Sequence, residues 1–217
     1  HRKEAVLEMI RSTNPDLIGL QEVLPDQFAF LKENFPAYQI YGLGRDGDNK
    51  GERMAIMVKN ERFHMIACNT FWLSETPQWV SRGWDAACNR TVTWAYLRDN
   101  SSGKYIGFYN THFDHEGEIA RRESAKLLVK YIKKHSKKTP VIITGDFNAT
   151  PDDPILRPIG KKFSSARDKA PWTDRKGTFN GWRIGEHNNI IDHIYYKGLS
   201  PISYHTLTEG FGGRPFV

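Results

Sequence analysis

Ile142-Ile143-Thr144-Gly145-Asp146-Phe147-Asn148-Ala149-Thr150-Pro151 is a short apolar run that stops abruptly at Gly-Asp-Phe-Asn. Val141, Ile142 and Ile143 are β-branched and follow Pro140, the pattern of a buried strand. If the extended geometry persists, a period of two puts Asp146 and Asn148 on one face at the rim of a sheet. A carboxylate there can hold a cation or take a proton from water, and a neighbouring carboxamide can donate to an anion without adding charge. Taken alone, the pair also fits a plain Asp-x-Asn turn.

Three further segments repeat the theme. Leu17-Ile18-Gly19-Leu20 runs into Gln21-Glu22, and a Glu closing an apolar strand is costly unless it meets water, a cation or a donor. Tyr105 to Thr111 is a third apolar strand, delivering His112 and Asp114 on one face. Ile190-Ile191-Asp192-His193-Ile194 places a carboxylate inside a fourth. Singly, His112 fits a core histidine and Asp192 a strand-end cap. Four strands that each carry such a group suggest a shared site.

Together, Leu20-Gln21-Glu22-Val23, Asn110-Thr111-His112-Phe113, Thr144-Gly145-Asp146-Phe147-Asn148 and Ile191-Asp192-His193-Ile194 resemble the endonuclease/exonuclease/phosphatase superfamily of DNase I-like hydrolases. Gly51 to Ile56 is similar to the segment whose Glu, here Glu52, supports the active-site His. Asn89 to Trp94 is similar to the segment whose Arg, here Arg90, faces the phosphate. Trp72-Leu73-Ser74-Glu75 with Gly83-Trp84-Asp85 resembles an uncharacterised bacterial branch.

The resemblance implies a four-layer α-β-β-α sandwich of two facing mixed sheets and hydrolysis of a phosphate ester, monoester or diester. It implies Mg²⁺ or Mn²⁺ on Glu22, Asp146 as the base acting on water, and Asn148 and His112 donating to phosphoryl oxygens. Glu52 would orient His112, and Asp192 would hold a further imidazole. The family pattern also has a first strand ending in Asn and a closing Ser-Asp-His. This sequence opens in the first helix and stops about where that motif would begin, and His193 and His205 lie in other contexts. One domain over 1–217, lacking its first and last strands, is therefore expected, unstable and inactive as a piece.

Composition sets wider bounds. A chain of 217 residues fits one α/β domain, and 39% hydrophobic with 12% aromatic residues is ordinary for a folded protein. No apolar stretch approaches the roughly 20 residues that span a bilayer. The first residue is not Met, so a signal peptide would lie upstream; secreted, periplasmic and cytoplasmic locations all remain open. A net charge of +6 suits an anionic substrate. Lys130, Lys133, Lys134, Lys137 and Lys138 supply much of it at a helix end and read as a solvated face, with no dense stripe for tight duplex binding. Cys68 and Cys88 lack metal-ligand spacing and read as two thiols rather than a disulfide.

Along the chain, a helix ends at Asn14-Pro15 and a second starts at Pro25. Tyr38 to Tyr41 is a strand, and the Gly-rich stretch 42–51 reads as a mobile loop. Met54 to Val58 and Phe63 to Phe71 read as one hairpin, Thr91 to Leu97 and Tyr105 to Thr111 as another, and Ile119 to Ile132 as the strongest helix. Arg90 fits a salt bridge as well as a phosphate contact; Arg122 fits a surface charge, and His115 a second imidazole beside the site. Trp72 reads as core. Trp79 and Trp84 read as rim rings able to stack on a substrate, and Trp172 and Trp182 flank a loop, Thr178-Phe179-Asn180, that would line the same cleft. The expected partner is a phosphorylated small molecule, lipid or nucleotide met by a monomer, with a nuclease as the alternative. The competing class is a binding module that keeps the fold without the chemistry.

Overall fold

The computed structural model describes residues 3–136, 138–174, 176–179, 181, 189–208, 210–211 and 214–215. The chain runs α1 (Lys3–Thr13), β1 (Leu17–Val23), α2 (Pro25–Asn34), β2 (Tyr38–Tyr41), β3 (Arg53–Lys59), β4 (Phe63–Trp72), β5 (Thr91–Asp99), β6 (Tyr105–His112), α3 (Glu118–His135) and β7 (Val141–Asp146). A 3₁₀ turn (Pro154–Leu156) then leads into α4 (Arg157–Gly160), β8 (Ser164–Ser165), α5 (Ala166–Lys169), β9 (Trp172–Thr173), β10 (Asp192–Lys197) and β11 (Ser203–Tyr204), with a last pair, Gly210–Phe211 and Arg214–Pro215.

Two sheets face each other, β1-β3-β2 and β4-β5-β6-β7-β10-β8. Strand alternation builds three apolar layers from them. Ala55 and Met57 of β3 pack with Ile10, Leu31 and Phe35 beneath α1 and α2. Ile56 and Val58, one residue out of phase, meet Ala95, Leu97 and Phe108 between the sheets. Tyr109, Val141 and Ile143 face Ala125, Leu128 and Ile132 of α3 on the far side. The result is the expected α-β-β-α sandwich.

One expected pairing differs. Met54–Val58 and Phe63–Phe71 do not form a hairpin, because β3 already has β1 on one edge and β2 on the other. With no edge free, the chain turns at 60–62 and β4 pairs with β5 in the opposite sheet. The β5/β6 hairpin and α3 form as read. The 42–51 stretch is pinned: Arg45 N–H donates to the Glu52 carbonyl, and the Arg45 carbonyl accepts from Trp72 Nε1 and Asn89 Nδ2.

A polar bridge crosses the apolar inter-sheet layer near one end. Asn110 is fully buried. Its Nδ2 donates to the Leu20 and Ala55 carbonyls at 2.9 and 3.0 Å, and its Oδ1 accepts from Gln21 Nε2 at 2.6 Å and Thr144 Oγ1 at 3.0 Å. All four amide bonds are made, so burial costs little. The strands approach so closely here that a Cβ on Gly19 would sit 2.1 Å from Thr144 Oγ1.

Candidate active site

The bridge sits one step below a cluster of functional groups. β1 carries an irregularity between Leu20 and Val23, which frees Gln21 to reach inward to Asn110 and throws Glu22 outward. Glu22 adopts φ 57°, a left-handed conformation a Glu rarely takes, and its carboxylate is 60% exposed. β6 and β7 run parallel in register, so His112 and Asp146 end side by side, and β10 sets Asp192 directly opposite Asp146. Asp146 and Asn148 meet by a different route from the one expected. The strand stops at Asp146, and Asn148 turns back with φ 46° so that its N–H donates to Asp146 Oδ1 at 2.8 Å. The Asp-x-Asn turn is real, and it also builds the cluster.

Asn148 Nδ2 donates to the Phe113 carbonyl at 3.0 Å and to His112 Nε2 at 3.1 Å. Both amide hydrogens are thereby engaged, and His112 Nε2 must accept. Its proton then sits on Nδ1, which is buried without a hydrogen-bond partner and lies 3.9 Å from Glu22 Oε1. Burial, with the Arg90 and Arg45 charges, pushes the His112 pKa down to about 3, so the imidazole is neutral. Asp146 behaves oppositely: burial, then Asp192, raises its pKa to about 7, with Glu22 adding to the rise. Asp192 is raised too, first by burial, against a hydrogen bond from the Thr178 hydroxyl.

Glu52 does not reach His112. It pairs with Arg45 Nη1, because Arg45 closes the same loop from the other side. Arg90 is buried; its Nε lies 3.4 Å from Asp114 Oδ2 and its Nη2 2.9 Å from His115 Nδ1. Asp114 leaves the His112 face and is consumed structurally. Its carboxylate accepts N–H groups of Ala87, Cys88, Glu116 and Gly117 as well as Arg90. Cys88 and His115 lie within metal-ligand reach of Asp114, but those oxygens are taken and a guanidinium adjoins them, which disfavours a second cation.

Cys68 and Cys88 are free thiols. Trp72 is core, while Trp79 is 68% exposed on its loop. Trp84 takes φ 48°, is half-buried, and donates its N–H to Glu75. Trp172 is half-exposed and packs on His205. Trp182 and Asn180 lie outside the described residues. Three participants escaped the sequence reading: Asn110 as the bridge, Thr178 as the partner of Asp192, and Arg45 as a charge felt by His112. All three act across long sequence separations, and no spacing rule marks them.

A profile of the Endonuclease/Exonuclease/phosphatase family matches residues 1–210. Similar solved structures include a Bacteroides thetaiotaomicron mannosyl-6-phosphatase, 33% identical with a TM-score of 0.91, covering 96% of this chain and 81% of that one. A Bacteroides vulgatus endonuclease/exonuclease/phosphatase protein is 36% identical with a TM-score of 0.90, covering 94% and 82%. Among curated proteins, Drosophila melanogaster Nocturnin is 27% identical across 90% of this chain. The chain spans only 35% of that protein's length.

Proposed function

Because the chain belongs to the Endonuclease/Exonuclease/phosphatase family, we propose that it is a phosphoester hydrolase that removes a terminal phosphate from a phosphomonoester by Asp-assisted attack of water. The observation carrying this reading is that Glu22 and Asp146 flank the His112 ring, Glu22 Oε1 3.9 Å from Nδ1 and Asp146 Oδ2 3.4 Å from Nε2, with Asp192 set opposite Asp146.

Three carboxylates that crowd one another, one of them raised to about 7, make an electrostatic deficit that a hard cation relieves. Their all-oxygen donor set fits Mg²⁺ or Mn²⁺, with Glu22 as the exposed ligand. When bound, such a cation neutralises charge that builds on the phosphoryl oxygens and leaving group.

The protein's own groups supply the rest. Asp146, buried and held by the Asn148 N–H, orients water and takes its proton; a base poised near the working pH does so with the best compromise of strength and availability. His112 stays neutral and offers Nδ1–H to a phosphoryl oxygen, a donor fixed before the charge develops. Asn148 sets that tautomer, so its first role here is positioning, and its contact with phosphate requires exchange of one existing bond. Arg45 and Arg90 give the His112 side a cationic flank suited to a dianionic terminal phosphate. The mannosyl-6-phosphatase relative makes a sugar phosphate the first substrate to try.

A panel of sugar phosphates, nucleotides and phosphodiesters, assayed with Mg²⁺, Mn²⁺ or EDTA, tests the proposal. Metal-dependent release of phosphate from a monoester, lost in Asp146→Asn, is the expected result. A folded protein that turns over none of them under any metal would indicate a binding module instead. Turnover of diesters alone would favour the nuclease reading.

A further inference from the structure

Seven of the chain's cations gather in one concavity. A groove of about 610 Å³ runs between α3 and the turn leading into α4 on the outer face of the six-stranded sheet. One wall is a row on α3: Arg122, Lys126, Lys130 and Lys133. The other is Arg157, Lys161 and Lys162. All seven side chains are exposed, and among the described residues no Asp or Glu lines the groove. The whole chain has 31 Lys and Arg against 25 Asp and Glu. Seven of those 31 line this one groove.

Glu123 neutralises part of the upper end, pairing with Arg122 at 3.3 Å and Lys126 at 2.7 Å. Lys130, Lys133, Arg157, Lys161 and Lys162 have no ion pair among the described residues. Asp152 and Asp153 line a neighbouring depression, and Asp153 is spent capping the 3₁₀ turn. Five unneutralised cations in one concavity repel one another, a cost that an anionic occupant removes.

The sequence disperses these residues over two segments and hides the stripe, which appears only when the turn at 154–162 folds against α3. Steps of three and four residues keep the α3 row on one face, over a rise of about 16 Å from Arg122 to Lys133. A nucleic-acid strand presents one phosphate per about 3.4 Å along its axis, a density that two facing rows of cations can match. None of the exposed large apolar residues lies in the groove, so it offers no wedge into a bilayer and no ring for a base or sugar. Both walls follow directly from the catalytic strands, α3 from the end of β6 and the 3₁₀ turn from the end of β7.

We propose that this groove is a docking site for a polynucleotide backbone, read by its phosphates and without sequence preference, and separate from the hydrolytic centre. It does not rest on the assignment of Glu22, Asp146 or His112. Binding of a labelled short DNA duplex, followed by fluorescence anisotropy in EDTA, is the test. With about five phosphates contacted, affinity should fall steeply between about 50 and 200 mM salt, with a log–log slope of about −4 to −5. Lys130→Glu/Lys133→Glu/Lys161→Glu should weaken binding by about tenfold or more and bring the slope near −2. Metal-dependent turnover of a small phosphate ester should stay at the wild-type level in that variant, which separates failure of the groove from failure of the active-site reading. Wild-type affinity in the triple variant, or no binding at low salt, overturns the proposal. So does capture by phosphatidylserine vesicles or a phosphorylated polysaccharide in place of DNA.

Discussion

Replacing Asn110 by Ala removes the side chain at the centre of the bridge that ties both sheets together beneath the cluster. Four hydrogen bonds of 2.6 to 3.0 Å disappear. The Thr144 hydroxyl keeps the Tyr109 carbonyl at 3.5 Å, and the two backbone carbonyls can rely on their remaining lone pairs. Among the described residues the Gln21 amide has no other partner. A stranded polar group costs about 1–3 kcal/mol, and the Gln21 amide plus the cavity left behind amount to about 2–4 kcal/mol. For a domain of this size each kcal/mol moves the melting temperature by about 2–4 °C, so the expected loss is about 10 °C. Calorimetry and guanidinium unfolding of Asn110→Ala would measure it, with Gln21→Ala as the milder control. Since Glu22 follows Gln21 and His112 lies two residues beyond Asn110, kcat should drop alongside stability. A melting temperature within about 2 °C of wild type, with normal turnover, would refute the claim that the bridge holds the site.

Three further outcomes are expected. Glu22→Ala should lose activity that excess Mg²⁺ partly restores, whereas Asp146→Asn should lose about 10²–10⁴-fold at any metal concentration; equal rescue of both would show the roles are misassigned. In the metal-free protein, Asp146 is raised from 3.8 to about 7, so the stability it contributes is full below its ordinary pKa and is lost as pH rises through about 7. Melting temperature against pH, taken as the difference between wild type and Asp146→Asn, should therefore swing in favour of the variant toward pH 7, and Mg²⁺ should reverse the swing; a flat difference would count against the crowded carboxylates. Asp114 goes the other way: although burial opposes it, the N–H groups of Gly117, Ala87 and Glu116 and the Arg90 charge hold its carboxyl well below the usual range. Its contribution is present above about pH 3.8 and lost as pH falls further, and Asp114→Ala, which strands the buried Arg90 guanidinium, should cost about 3–5 kcal/mol at neutral pH by chemical denaturation.

The sequence alone marked the longer strands, the three longest helices and the residues of the cluster, and passed over the two-residue strands and short helices that follow β7. Apolar runs that end in Glu22, His112, Asp146 and Asp192 carry a local signal, because a charge at the end of a buried strand needs a reason within a few residues. The two facing sheets came from the family resemblance, since the residue pattern by itself stops at α/β or α+β. What only the tertiary structure decided depended on which surfaces were already taken. The two edges of β3 are filled by β1 and β2, so β4 crossed to the other sheet although the local pattern suits a hairpin. Glu52 found Arg45 before it could find His112, and Asp114 found four backbone N–H groups and Arg90. The basic groove arose the same way, from cations on segments distant in sequence that meet only when the chain turns back on α3. Hydrophobic periodicity is a property of neighbours along the chain, whereas the pairing of polar groups is settled by competition in space, which no local pattern records.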